Sequence, residues 1–335
     1  MKRIFKLQKK FIKLTVFAAL LASCQTTSAV LPLLAHDKRS INIQTLNLFN
    51  QRSPSYSSKE NWKGDWFFRR QRLQVVDHEL RAIRPDVILF QEALEQSHSK
   101  VESDRHILES GSLKGYEWEM IANTEFGDTD EKQYHATALA LPLSFAALPE
   151  NMIKFWKLGD DGYLTLSVAE MDHRPILFFN VQMPSAMSHH AIWYSFIEEQ
   201  MERIWKTTPY CRERTVLAGN LVEQAASHPL ADFLARTRMK DTAAGFCELA
   251  RDCYTATSVN ELFQATTNGM VPEGRYDRIL VHSSAIVNSA RVNFNRPDEA
   301  GAADELSYGL AKLWPSTRYG WHATVRLSSC SGKEP

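Results

Sequence analysis

A small set of polar side chains stands at or next to the ends of apolar runs. Asn47 lies near the end of INIQTLNLFN and Glu92 within RPDVILFQEAL. Gln182 closes the run ILFFNVQ, Asn220 the run TVLAGN. Asp277 opens GRYDRILV after its arginine and tyrosine, and His322 lies in GWHATVRL. Carboxylates and amides offer oxygen ligands only, the type that suits Mg²⁺, an ion that keeps several of its waters and takes few protein groups. A carboxylate beside an imidazole would offer acid–base chemistry, because it orients the ring and raises its basicity. Any one of these residues alone reads as a solvated turn residue. Their chemistry depends on whether the chain brings them together.

The elements that must do so are short strands alternating with a few helices. Val87–Phe90, Ile176–Val181, Thr215–Ala218, Ile279–Val281 and Thr324–Leu327 are apolar runs of buried-strand length flanked by polar or turn residues. Ile41, Ile43 and Thr45 alternate with Asn42 and Gln44, as in a half-buried strand. Helical spacing appears at Leu73, Val76, Leu80 and Ile83, and again at Trp193, Ile197, Met201 and Ile204. A shorter helix is expected after Ser227, with Leu230, Phe233 and Leu234 on one face. Such a mixture predicts sheets in layers, covered by helices.

The order of these segments resembles the endonuclease/exonuclease/phosphatase superfamily of metal-dependent phosphodiesterases, over roughly residues 39–327. QE after PDVILF is among its more specific marks, and the order of all six segments is stronger than any one. The resemblance implies an α/β (α+β) fold, a four-layer α/β/β/α sandwich of two mixed sheets with helices outside. It also implies a metal-polarised phosphate, an activated water and a set of hydrogen-bond donors. By the same resemblance Glu92 matches the principal Mg²⁺ carboxylate and Asn47 the amide that supports it. Asp277 matches the aspartate of RxDxI, and His322 the last residue of Ser-Asp-His.

Other positions depart from the family pattern. Gly219-Asn220-Leu221-Val222 stands where the family writes GDxN, so the proton-accepting aspartate is an amide and the donating asparagine is apolar. Asn180-Val181-Gln182 stands for NxH, and Gln182 donates a hydrogen bond without carrying charge. Gly320-Trp321-His322 stands for SDH, with an indole in place of a carboxylate. A general acid or base is worth roughly 10²–10⁴ in rate and one oxyanion-type donor roughly 10²–10³. The leading expectation is therefore a phosphodiesterase fold that binds a phosphoester, with catalysis lost or strongly weakened. A second is an active enzyme with a rewired site, in which Glu223, His189 or His190 supplies the base. The bland reading of the His189–His190 pair is a polar helix start. A third expectation is a structural envelope lipoprotein.

The N-terminus bears on location. Lys2, Arg3, Lys6, Lys9, Lys10 and Lys13 precede an apolar run, Leu14 to Ala22, broken only by Thr15. The run is far shorter than the roughly 20 residues of a spanning helix and has the order of a secretion signal. Leu21-Ala22-Ser23-Cys24 resembles the bacterial lipobox, where the cysteine is diacylated and the chain is cut before it; two acyl chains anchor durably. Gln25 next to it resembles an outer-membrane address. The expected organisation is a signal peptide at 1–23, a lipidated tether at 24–38, the domain at 39–327 and a tail at 328–335, in a bacterial cell envelope. Trp62, Trp66, Phe67 and Phe68 are expected to pack in the core rather than touch lipid.

Composition narrows the partners. Without residues 1–23, 33 basic residues face 39 acidic ones, a formal charge of −6. That balance argues against nucleic acid, whose binders carry a basic excess or stripe, and a monomer tethered to membrane is expected. Of five cysteines, Cys211, Cys247, Cys253 and Cys330 remain after Cys24, without the CxxC spacing of zinc sites. In an oxidising compartment four thiols suggest disulfides. Cys247 and Cys253 are six apart, which leaves Cys211 with Cys330. If Asn220 ends its strand and His322 begins its own at one active-site edge, those strands run oppositely and both cysteines lie at the far end.

Overall fold

Burying apolar residues on both sides of a strand requires a layer on each side, and the strands here are apolar on both. The computed structural model describes residues 40–48, 69–95, 103–125, 132–147, 149, 152–159, 162–184, 190–221, 228–260, 273–295, 316 and 318–330. Cys24 and Gln25 with the signal and tether, Trp62, Trp66, Phe67, Phe68, His189, Val222, Glu223 and residues 331–335 lie outside the described residues.

Among the described residues, two mixed sheets form. The first comprises β1 (Ser40–Asn47), β2 (Val87–Glu95), β3 (Glu117–Glu125), β4 (Lys132–Leu139), β12 (Ile286–Asn293) and β13 (Gly320–Arg326), in the order β12-β13-β1-β2-β4-β3. The second comprises β5 (Ser144–Phe145), β6 (Phe155–Leu158), β7 (Gly162–Met171), β8 (Arg174–Gln182), β9 (Thr215–Asn220), β10 (Met239–Asp241) and β11 (Asp277–His282). Its order is β10-β11-β9-β8-β7-β5, with β6 also on β7. Each sheet holds one parallel pair, β1–β2 and β8–β9. Parallel neighbours need a crossover, and helices α1 (Arg69–Ile83) and α3 (His190–Thr207) lie in the two connections.

The period-2 alternation sorts the side chains into three cores. Between the sheets lie Ile41, Ile43, Val87 and Leu89 of the first sheet and Phe178, Ala218, Ile279 and Val281 of the second, with Trp321, Ala323 and Val325 of β13. The outer face of the first sheet packs Leu46, Ile88 and Phe90 against Leu73, Val76 and Leu80 of α1. Leu108 of α2 (Asp104–Glu109) joins them. The outer face of the second sheet packs Leu166, Phe179, Val181 and Leu217 against Tyr194, Ile197, Met201 and Ile204 of α3. Leu230 and Phe233 of α4 (Pro229–Thr237) complete that layer. Proline stands in the first turn of α4, where its missing N–H costs nothing, and left-handed Arg238 ends the helix.

The α/β sandwich expected from the sequence is the fold observed. Two strands run furthest beyond their expected limits. The strand before Glu92 does not stop at Phe90: it continues through Glu92 to Glu95 around a bulge. β13 begins at Gly320, four residues before Thr324, because it pairs with β12 from Asn293↔Gly320 onward. β12 is largely exposed on its own and offers no apolar run in sequence.

Cys211 joins Cys330 and Cys247 joins Cys253, with Cα–Cα distances of 5.8 and 5.9 Å, inside the range a disulfide requires. Cys211 precedes β9 and Cys330 follows β13, at the strand ends remote from Asn220 and Gly320. No helix among the described residues is long and apolar enough to cross a membrane.

Candidate functional site at the ends of the parallel pairs

The two parallel pairs bring their C-terminal ends together across the sandwich. In β1, residues 41, 43, 45 and 47 share the inner face, so Asn47 stands beyond Ile43 and Thr45, beside Gln91 of β2. Strict alternation would send Glu92 outward with Ile88 and Phe90. The bulge between Phe90 and Ala93, with Glu92 at φ 57°, turns it inward instead. A bulge is the standard device for re-aiming one side chain. A non-glycine residue in the left-handed region costs of order 1 kcal/mol, which the surrounding pairing must offset.

Glu92 is held from both sheets. Its Oε1 accepts from Asn47 Nδ2 at 2.8 Å and from Gln182 Nε2 at 2.8 Å. Beneath it the sheets are bolted by a second amide pair: Gln91 Nε2 donates to Asn180 Oδ1 at 2.7 Å, and Asn180 Nδ2 to Phe90 O at 2.8 Å. Gln182 faces Asn220 in the β8–β9 register, and Asn220 faces Asp277 in the β9–β11 register. Asn47, Glu92, Gln182, Asn220 and Asp277 thus form one buried polar cluster.

Asp277 is fully buried, and burial pushes its carboxyl up to about 6; nearby Arg318 and Thr255 hold it down, while Glu92 raises it further. Thr255 Oγ1 accepts the backbone N–H of Tyr276 and of Asp277. Neither carboxylate oxygen of Asp277 meets hydrogen-bond geometry, and neither does Oδ1 of Asn220. Buried polar atoms without partners are rare and call for a ligand, an ion or water.

His322 does not join this cluster. Trp321, Ala323 and Val325 of β13 point into the inter-sheet core, so the pleat turns His322 to the opposite face, opposite Arg291 of β12. Thr324 on that same face bonds Asn42 Oδ1, which confirms the orientation. The expected Asp277–His322 pair is therefore not made. Burial, then Arg291, pushes the imidazole down to about 4. Trp321 fills the inner position, its Nε1 donating to Thr242 Oγ1 at 2.8 Å and its ring lying 4.3 Å below the Arg275 guanidinium. Arg275 in turn grips Asp241 with Nη1 and Nη2 at 2.8 and 2.5 Å. His190 is the first residue of α3 and buried.

Three participants escaped the sequence reading. His135 of β4 lies against the site, its Nδ1 3.4 Å from Asn180 O. Burial pushes it down to about 4, against the opposing pull of Asn180 and the Gln182 side chain. Asn180 carried a signal, since it opens the Asn180-Val181-Gln182 segment. Arg318, in the loop before β13, carried none.

Among the described residues, no three of His, Cys, Asp and Glu gather into a metal cage. The donors that do converge are hard oxygens: the Glu92 and Asp277 carboxylates, electrostatically coupled, and the amide carbonyl of Asn220. That set fits Mg²⁺, bound through one or two carboxylates and its own waters.

Solved structures share this arrangement of sheets and helices. An endonuclease/exonuclease/phosphatase family protein from Bacteroides thetaiotaomicron superposes with a TM-score of 0.59 at 15% identity, covering 87% of this chain and 98% of that one. This chain has the endonuclease/exonuclease/phosphatase fold. Truncated Caenorhabditis elegans TDP2 shares that fold at TM-score 0.56 and 13% identity, covering 86% of this chain and 98% of that one. So does D. rerio TDP2 in complex with a single-strand DNA product, at 0.53 and 11%, covering 85% and 98%. No protein-family model matches the sequence, and no curated protein matches it. In the endonuclease/exonuclease/phosphatase fold, then, the polar cluster of this chain sits where four strand ends meet.

Proposed function

We propose that this chain is a lipid-anchored envelope protein that binds Mg²⁺ and a phosphoester at the Glu92 cluster, with catalysis lost or strongly weakened. The observation that carries this reading is the contrast at one site. The carboxylate is held by two amides from opposite sheets, whereas the residues that would move protons are displaced or replaced. Asn220 is an amide, Gln182 carries no charge, and His322 faces away. The anchor rests on the sequence, through Leu21-Ala22-Ser23-Cys24 after a short apolar run. Tethering favours lipid headgroups or other envelope phosphoesters, and the formal charge of −6 argues against nucleic acid.

When bound, Mg²⁺ supplies charge to polarise a phosphoryl oxygen. Asn47 and Gln182 fix the direction of Glu92. Asn220, opposite Asp277, presents an amide from the strand edge. Calorimetric titration of the full chain in detergent tests the reading. Mg²⁺ should bind at one site and Glu92→Gln should abolish it; equal binding by both proteins overturns the proposal, and no binding by the wild type favours a purely structural lipoprotein.

One observation favours the rewired enzyme as a second reading. Asp277, held at about 6 without a hydrogen-bonded imidazole, is poised to exchange a proton near neutral pH. Turnover separates the two readings.

A further inference from the structure

We propose that Arg318 is the phosphate-holding cation of this site, supplying the positive charge that Gln182 cannot carry. The inference deepens the phosphoester reading and rests on it.

Arg318 is placed by contacts to the cluster itself. Its backbone N–H donates to Ser316 Oγ, which donates to the Asn47 carbonyl at 2.6 Å. The next residue, Tyr319, donates its N–H to Thr255 O at 2.6 Å, and Thr255 also receives the Asp277 N–H. Ser316 and Tyr319 therefore tie Arg318 to Asn47 of the first sheet and, through Thr255, to Asp277 of the second. The guanidinium lies 5.2 Å from the centre of the Tyr276 ring, directly before Asp277 in sequence. A planar cation stacked on an aromatic face keeps its in-plane N–H donors available.

Those donors are not spent. Arg318 Nη1 is buried without a hydrogen-bond partner, as are both carboxylate oxygens of Asp277, although the two groups are close enough to interact. An unpartnered donor beside unpartnered acceptors leaves both groups available to a bound ligand. The other cation near Asp277, Arg275, has both terminal nitrogens on Asp241 and its face on Trp321, and only its Nε lacks a partner. Arg318 is thus the guanidinium with a terminal nitrogen to offer. A fork of N–H groups matches the oxygens of a phosphate. With Asp277 neutralised by a bound cation, an anion meets no repulsion there. A monoanionic phosphodiester or inorganic phosphate has the required chemistry.

The test is phosphate binding by the full chain in detergent, with inorganic phosphate as probe, Mg²⁺ present, and ³¹P NMR or calorimetry as readout. Wild type should bind. Arg318→Met should weaken phosphate binding at least tenfold while Mg²⁺ still binds, and Arg318→Lys should fall between, because it keeps the charge and loses the fork. Equal phosphate affinity in wild type and Arg318→Met would overturn the role of Arg318 and leave the phosphoester reading standing. Absence of phosphate binding in wild type, with Mg²⁺ bound, would overturn the phosphoester reading itself. Should Arg318→Met fail to fold, the pair Arg318→Lys and Arg318→Gln supplies the same comparison of charge kept against charge lost.

Discussion

Glu92 combines the site's central role with its least comfortable backbone. At φ 57° its conformation suits glycine, and a side chain there is retained at a cost of about 1 kcal/mol. Glu92→Gly and Glu92→Ala both remove the carboxylate, so the difference between them isolates the backbone. Glu92→Gly should be the more stable by about 1 kcal/mol in urea denaturation, and an equal or more stable Glu92→Ala would contradict the left-handed bulge. The buried histidines set the acid limit. His135 and His322 are both pushed from 6.5 to about 4, chiefly by burial. Their neutral forms contribute stability that is complete above pH 6.5 and lost as pH falls through about 4. Asp277, raised from 3.8 to about 6, acts in the opposite sense: its contribution is present below 3.8 and lost as pH rises through 6. Two groups against one predict a net loss in acid. His322→Leu should shrink the fall in unfolding free energy between pH 7 and about pH 4.5 by roughly 2 kcal/mol; an unchanged fall would mean that His322 is solvated.

At the scale of elements, strand register decides which residues meet. Gly219 shows the constraint: at φ 127°, a Cβ there would run into the Val181 carbonyl of β8. Gly219→Ala should therefore force β8 and β9 apart and separate Gln182 from Asn220. A destabilisation of about 3 kcal/mol, read by thermal unfolding, is expected, together with weakened Mg²⁺ binding; a neutral substitution would argue against this pairing. Register also explains what could be read from the chain. Apolar runs and helical spacing sufficed for the starts of β2 and β9, for the positions of β8 and β11 and for α1, α3 and α4, because each presents a core-facing pattern. Asn47, Gln182, Asn220 and Asp277 were singled out by the order of the segments, and they lie at strand ends. His322 was misread because β13 is longer than its apolar run. Pairing with exposed β12 extends it to Gly320, and in a pleated strand the neighbour of inward Trp321 must face outward. The inward turn of Glu92 and the approach of Arg318 arise from a bulge and a loop, neither of which has a hydrophobic period to betray it.

For the whole molecule, two disulfides lie outside the site. The Cys211–Cys330 bond closes a separation of 119 residues. Its loss in a Cys211→Ser/Cys330→Ser variant should cost roughly 4–5 kcal/mol by the chain-entropy model, while Mg²⁺ binding persists at temperatures where the variant stays folded. Non-reducing peptide mapping should recover that pair and Cys247 with Cys253; linkage of Cys211 to either of the latter would contradict the fold. Cys24→Ser should abolish the lipid-dependent mass increase and partition into detergent, and identical behaviour of variant and wild type would remove the anchor. On the proposed reading, the fold keeps a binding site while its proton-moving groups are replaced or displaced. Hydrolysis of a generic phosphodiester by the full chain, with Mg²⁺ and with chelator, tests it most directly. Turnover should be indistinguishable from the chelated control, whereas robust Mg²⁺-dependent hydrolysis that disappears in Glu92→Ala would contradict the loss of catalysis.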